Sequence, residues 1–179
     1  NGKEIYMIPI LMFLISLGGT TYGMAEETIA FYALVTATMV AAGFDAITAA
    51  STILLGSTAG VLGSTVNPFV VSSSVDALKT SGITIDQTVI IIVGAISWLA
   101  CYAVGAFYVM RYAKKVKANK GSTILSLQEM EDAKAAYGEK EIAADAKLSG
   151  TQKACLIIFA AAFVVMVIGF IPWGSFGIT

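Results

Sequence analysis

The stretch TVIIIVGAISWLACYAVGAFYVM, Thr88 to Met110, carries no charged side chain, and the basic run RYAKKVKANKGS follows it directly. As an α-helix it would reach roughly 34 Å, enough to cross a hydrocarbon core of about 30 Å. Further apolar runs lie at Ile5 to Leu17, Thr28 to Gly43 and Ala154 to Ile171, and a longer one, Phe44 to Leu78, has a polar break in its middle. Hydrophobic residues make up 57% of the chain and charged residues 13%, with a mean hydropathy of +0.81. Soluble domains carry about a quarter charged residues. The expected class is therefore an all-α integral membrane protein.

Basic residues orient the spans. Most Lys and Arg residues fall between Arg111 and Lys153, and positive charge at the end of a span marks its cytoplasmic side. The span at 88–110 then runs inward, the linker KTSGITIDQ lies outside, and the segment 44–78 runs outward. Gly43 and Phe44 are placed on the cytoplasmic side. The two runs before them must together start and end there, as two full spans or as a re-entrant hairpin over 5–43. Ile5 to Leu17 is about 20 Å as a helix, too short to span comfortably, which favours the hairpin. The stretch 113–153 reads as a cytoplasmic linker with a short solvated helix, because Ser126 and Glu129 have the S-x-x-E spacing of a capping box.

Two polar clusters need explanation at membrane depth, where irregular backbone survives only if protein buries it or if it lines a watery site. The first is GGTTYGMAEET, in which Gly18, Gly19 and Gly23 free the backbone, Thr20 and Thr21 supply hydroxyls, and Glu26 and Glu27 supply carboxylates. The other reading is a surface loop with both glutamates in the first turn of the next helix. The second cluster is LLGSTAGVLGSTVNPF. Pro68 removes a backbone donor and disfavours helix at Asn67, with Gly63, Ser64 and Thr65 just before it. A broken helix over 44–78 would present carbonyls from one half and N–H groups from the other, the construction used for substrate and ion sites in secondary transporters. The other reading is a proline kink, with Gly56 and Gly60 as a small-residue packing face.

Other chemistry has little support. The chain has no His, and its two cysteines, Cys101 and Cys155, sit far apart in apolar runs. Neither a phosphate-binding loop nor a nucleophile elbow is present, so an enzyme is not expected, nor a cofactor beyond a coupling sodium ion or proton. Asp45 and Asp76 are expected at the interface, and Trp98, Tyr102, Tyr108 and Tyr112 as packing or interfacial anchors. The first apolar run is not expected to be a secretory leader, since Gly, Thr and Glu follow it rather than a cleavage site.

At PILMFLISLGGTTYGMAEETIAFYALV, LLGSTAGVLGSTVNPF and MVIGFIPWGSFGIT, the sequence resembles the C4-dicarboxylate anaerobic carrier family, most closely its YfcC-like branch. That resemblance implies an ion-transporter-type fold of inverted repeats, each with a re-entrant hairpin and a broken helix. It makes residues 1–112 the end of a first repeat and 154–179 the first helix of a second, in a central portion of a longer transporter. Gly18 to Thr21 and Gly63 to Asn67 would meet in half of a midplane site, with a candidate sodium site near Thr20, Thr21, Ser64 and Asn67 and candidate cation or proton sites at Glu26 and Glu27. The expected function is secondary active transport of a C4-dicarboxylate or an amino acid, with a basic amino acid antiporter as the alternative and a channel-like or scaffold membrane protein as the rival class. Expected partners are the small-molecule substrate, the lipid bilayer, the remaining half of the transporter and a second copy in a homodimer, with no nucleic acid.

Overall fold

The computed structural model describes residues 3–137 and 149–169. It divides into two compact units, Asn1–Lys140 and Glu141–Thr179. Among the described residues every regular element is helical. Helix α1 (Met7–Tyr22) follows a 3-10 turn at Glu4–Tyr6, and α2 (Ile29–Ala41) follows one at Glu26–Thr28. Helix α3 (Ala46–Leu62) stops before Gly63, and the chain resumes as a π-helical turn, Pro68–Ser72, leading into α4 (Ser73–Thr80). The long α5 (Gln87–Ala118) and α6 (Leu127–Tyr137) complete the first unit. The second unit contains α7 (Gly150–Gly169), on which Ile157, Val165 and Ile168 are exposed. The linker residues 138–148 and most of the MVIGFIPWGSFGIT motif, residues 170–179, lie outside the described residues.

Among the described residues two stretches are long and apolar enough to cross a membrane, Glu4–Tyr22 and Gln87–Ala118. The first corrects the expectation that this run is too short to span. Gly18, Gly19, Thr20 and Thr21 do not form an irregular tip; they are the last turns of α1. The Thr21 hydroxyl donates to the Leu17 carbonyl at 2.6 Å, so its polarity is absorbed inside the helix. The turn itself comes at Gly23, whose φ of 81° is left-handed and costs glycine nothing.

Helix α3 is the centre of the unit and packs against α1, α2 and α5. It runs parallel to α1, and their backbones touch along a line of small residues. A Cβ added to Gly19 would lie 2.7 Å from the Ser57 carbonyl oxygen, and one added to Gly60 would collide with the Ser16 carbonyl. Helix α5 runs antiparallel and closes equally tightly, Gly63 against the Trp98 backbone and Gly94 against the Ser64 carbonyl. Trp98 Nε1 donates to Ser16 Oγ at 2.9 Å, and the Tyr102 hydroxyl donates to the Pro9 carbonyl at 3.0 Å. Both aromatics therefore tie α5 to α1, as expected of packing anchors. Trp98→Phe should cost about 1 kcal/mol by thermal unfolding in detergent, the worth of one hydrogen bond. Ser16 Oγ keeps its own bond to the Phe13 carbonyl, so no buried donor is stranded.

At the basic end of the unit, Asp45 departs from its expected interfacial exposure. It is only 8% exposed and caps α3, accepting from the Thr48 N–H at 2.8 Å and from the Thr48 hydroxyl at 2.5 Å. The Tyr112 and Thr123 hydroxyls both donate to its other oxygen at 2.6 Å. Burial alone would raise the Asp45 pKa; the bonds from Thr123, Thr48 and Tyr112 outweigh it and hold the carboxyl below its ordinary value. Lys117 works at the same end, paired with Glu4 at 3.0 Å, donating to the Ala42 carbonyl at 3.2 Å and lying 4.8 Å from the Phe44 ring centroid. These contacts gather the start of α1, the end of α2, the start of α3 and the end of α5 together. The S-x-x-E box also forms: Ser126 N–H donates to Glu129 Oε2 at 2.8 Å and Glu129 N–H to Ser126 Oγ at 3.3 Å.

Candidate functional site

Where α3 stops, its last carbonyls lose their helical partners. Thr20, from the last turn of α1 and 2% exposed, supplies one: its hydroxyl donates to the Gly63 carbonyl at 2.7 Å. The exchange is mutual, because the Thr65 N–H donates to the Thr20 carbonyl at 3.0 Å and the Thr65 hydroxyl to the same oxygen at 3.2 Å. The Thr20 and Thr65 hydroxyl oxygens are themselves 3.2 Å apart. Four oxygens from residues 43 and 45 positions apart in sequence thus converge at one point.

Asn67 organises the other side. Pro68 keeps it out of the helical region, at ψ 115°, and its Oδ1 caps the second half by accepting from the Phe69 N–H at 2.9 Å. Its Nδ2 donates to Ser64 Oγ at 3.2 Å, and Ser64 Oγ donates in turn to the Val61 carbonyl at 2.6 Å. Asn67 is 1% exposed. A Cβ on Gly23 would lie 2.7 Å from Asn67 Nδ2, so Gly23 is needed for its conformation and for this approach.

The carbonyl ends of α1 and α3 therefore face the amide end of the second half-helix. Carbonyl and hydroxyl oxygens suit a hard cation, and the capped N–H groups suit an anion. Among the described residues no buried side-chain polar atom lacks a partner, so a ligand entering here must replace existing hydrogen bonds.

The expected site residues divide accordingly. Thr20, Gly23, Gly63, Ser64, Thr65, Asn67 and Pro68 come together; Gly19 belongs to the α1–α3 crossing, and Gly18 faces Tyr22 and Met24. Thr21 turns back along α1, away from the sodium-site grouping in which it was expected. Glu26 and Glu27 are exposed in the 3-10 turn before α2, with Glu27 Oε2 accepting from the Ala25 N–H at 3.2 Å. They sit in the first turn of the next helical element, the other reading of that cluster. No group of three His, Cys, Asp or Glu suited to a metal occurs among the described residues, so a cation would rest on carbonyls and hydroxyls. Gly94 was not foreseen; only its place in an apolar span signals it.

The family model described as C4-dicarboxylate anaerobic carrier, DcuC, matches residues 1–176. The chain belongs to the C4-dicarboxylate anaerobic carrier family. Among relatives of this chain, an Escherichia coli (strain K12) protein named "Putative basic amino acid antiporter YfcC" is 34% identical over 124 residues, 66% of this chain and 22% of its own length. An uncharacterized protein of Haemophilus influenzae is 29% identical over 178 residues, 97% of this chain and 33% of its own. The chain thus spans a third or less of the curated relatives it matches. No solved structure matches this chain significantly. The family's name and that of the Escherichia coli relative are both names of transport proteins.

Proposed function

We propose that this chain supplies half of the midplane site of a secondary active transporter for a small carboxylate-bearing metabolite, ion-coupled or exchanging, in the cytoplasmic membrane. The observation that carries this reading is the meeting of Thr20 with Gly63 and Thr65 beside the Asn67 cap. Below the break α3 rises roughly 25 Å from Asp45, and beyond it the chain continues through the π turn and α4. The 13 residues of α2 reach only about 20 Å, short of a full crossing, which supports reading α1 and α2 as a hairpin that returns toward the side it started from. In this reading 113–153 is cytoplasmic, α7 opens the second, inverted repeat, and a sodium ion would be held by Thr20, Ser64 and Thr65 oxygens rather than by Thr21. Glu26 and Glu27 take part in coupling only if the second repeat covers them.

A basic amino acid antiporter is the second reading, favoured by the name of the Escherichia coli relative. The full-length parent in proteoliposomes separates the two: dicarboxylates are set against arginine, ornithine and neutral amino acids under sodium or proton gradients imposed separately. Saturable uptake of one class is expected. Thr20→Val, nearly isosteric, should lower it at least about tenfold by removing a buried hydroxyl from an oxygen cluster. Unchanged uptake by Thr20→Val would leave the polar contact with a packing role only, as in a channel or scaffold. Unchanged rate and ion dependence in Glu26→Gln and Glu27→Gln would remove those residues from coupling.

A further inference from the structure

The basic end of the first unit holds a cavity of about 620 Å³, between the α2–α3 turn, the end of α5 and one face of α6. We propose that it binds the headgroup of an anionic phospholipid from the cytoplasmic leaflet. Its lining has two parts. Val40, Phe44, Val116 and Met130 make an apolar wall, while Lys120 and Lys134 line it from separate elements. Neither lysine has an ion-pair partner among the described residues, whereas Lys117 beside them is already held by Glu4.

The acidic groups nearby do not cancel this charge. Asp45 lines the cavity, but its oxygens are occupied by the Thr48, Tyr112 and Thr123 hydrogen bonds. On α6 the lining positions include Met130, Ala133 and Lys134, the i, i+3, i+4 face, which leaves Glu131 and Asp132 off it. Location supplies the source of the ligand. Arg111, Lys114 and Lys115 are exposed on α5 just past its apolar run and lead directly to Lys120. Such a cluster at the cytoplasmic foot of a membrane helix faces the phosphates of anionic lipids, and the apolar wall suits the glycerol and first acyl carbons beneath them.

The test uses full-length transporter purified in detergent with equimolar phosphatidylglycerol and phosphatidylcholine, and native mass spectrometry to count retained lipids. The wild type should retain phosphatidylglycerol over phosphatidylcholine by about fivefold or more, given two lysines lining the cavity at an anionic surface. Lys120→Gln with Lys134→Gln should bring that ratio close to one, and the paired Lys→Arg changes should keep it. Lys79→Gln should leave it unchanged, since Lys79 is on α4 with Asp76 3.8 Å away. Equal retention of both lipids by the wild type, or an undiminished ratio in the glutamine pair, overturns the proposal. Displacement by millimolar glycerol phosphate overturns the lipid as source and makes the cavity a site for soluble phosphate esters. Loss of the ratio in the arginine pair as well would show that shape rather than charge matters there, and also overturns it.

Discussion

Gly60→Leu is expected to prevent the first unit from assembling. A side chain at this position points straight into the Ser16 carbonyl and the Gly19 Cα, which are backbone atoms that cannot step aside as a flexible side chain would. Separating α1 from α3 would also pull Thr20 away from Gly63, so the damage extends from packing to the candidate site. The cost should exceed about 3 kcal/mol, the upper part of the range for overpacked cores. Size-exclusion profiles and thermal midpoints in detergent read it directly: Gly60→Leu should give little monodisperse protein and Gly60→Ala an intermediate. Leu62→Ala, at a residue 64% exposed, should change little. A Gly60→Leu protein with wild-type stability would mean that the helices do not cross this closely.

Asp45→Ala should be nearly as damaging, through hydrogen bonding instead of volume. It removes the cap of α3 and the acceptor of the Tyr112 and Thr123 hydroxyls, which are left with each other at 3.2 Å, together about 3 kcal/mol. Asp45→Asn keeps a capping oxygen and should lose about 1 kcal/mol. The two variants also separate on acidification. Because the folded-state pKa of Asp45 lies below its unfolded value, its contribution is complete above the unfolded value, near pH 4, and disappears as the pH falls through the lower folded one. The wild type should lose its advantage over Asp45→Asn across that window, and identical acid profiles would show that the carboxylate charge contributes nothing.

Local backbone chemistry made the break in the run 44–78 legible. Pro68 has no N–H to give, and it acts on Asn67 whatever surrounds it, so the helix stops there in the structure as the residues require. The Ser126–Glu129 box was readable for the same reason. Gly18 and Gly19 misled because a glycine pair resembles a breaker until its neighbour is known. Here α3 makes close packing worth more than the helix propensity it costs, and α1 continues to Tyr22. Asp45 was missed because its partners Tyr112 and Thr123 lie 67 and 78 residues away, although Asp45 followed by Thr48 before an apolar run already had capping spacing. The convergence of Thr20 with Gly63 and Thr65 was expected only through the family resemblance, since no periodicity in one run says which residues of another it meets.

Helix α3 is held at both ends by chemistry of the same kind, the Asp45 cap at its foot and the Thr20–Gly63 contact at its head. A straight rod of its length converts angle into distance: a 5° tilt about the foot moves the head by roughly 2 Å. That is about the difference between a hydrogen bond made and one lost. The two ends therefore cannot be set independently, and the tolerance with which the first linker residues seat on Asp45 becomes the tolerance with which the oxygen cluster is aligned some 25 Å away, by the same rise per residue.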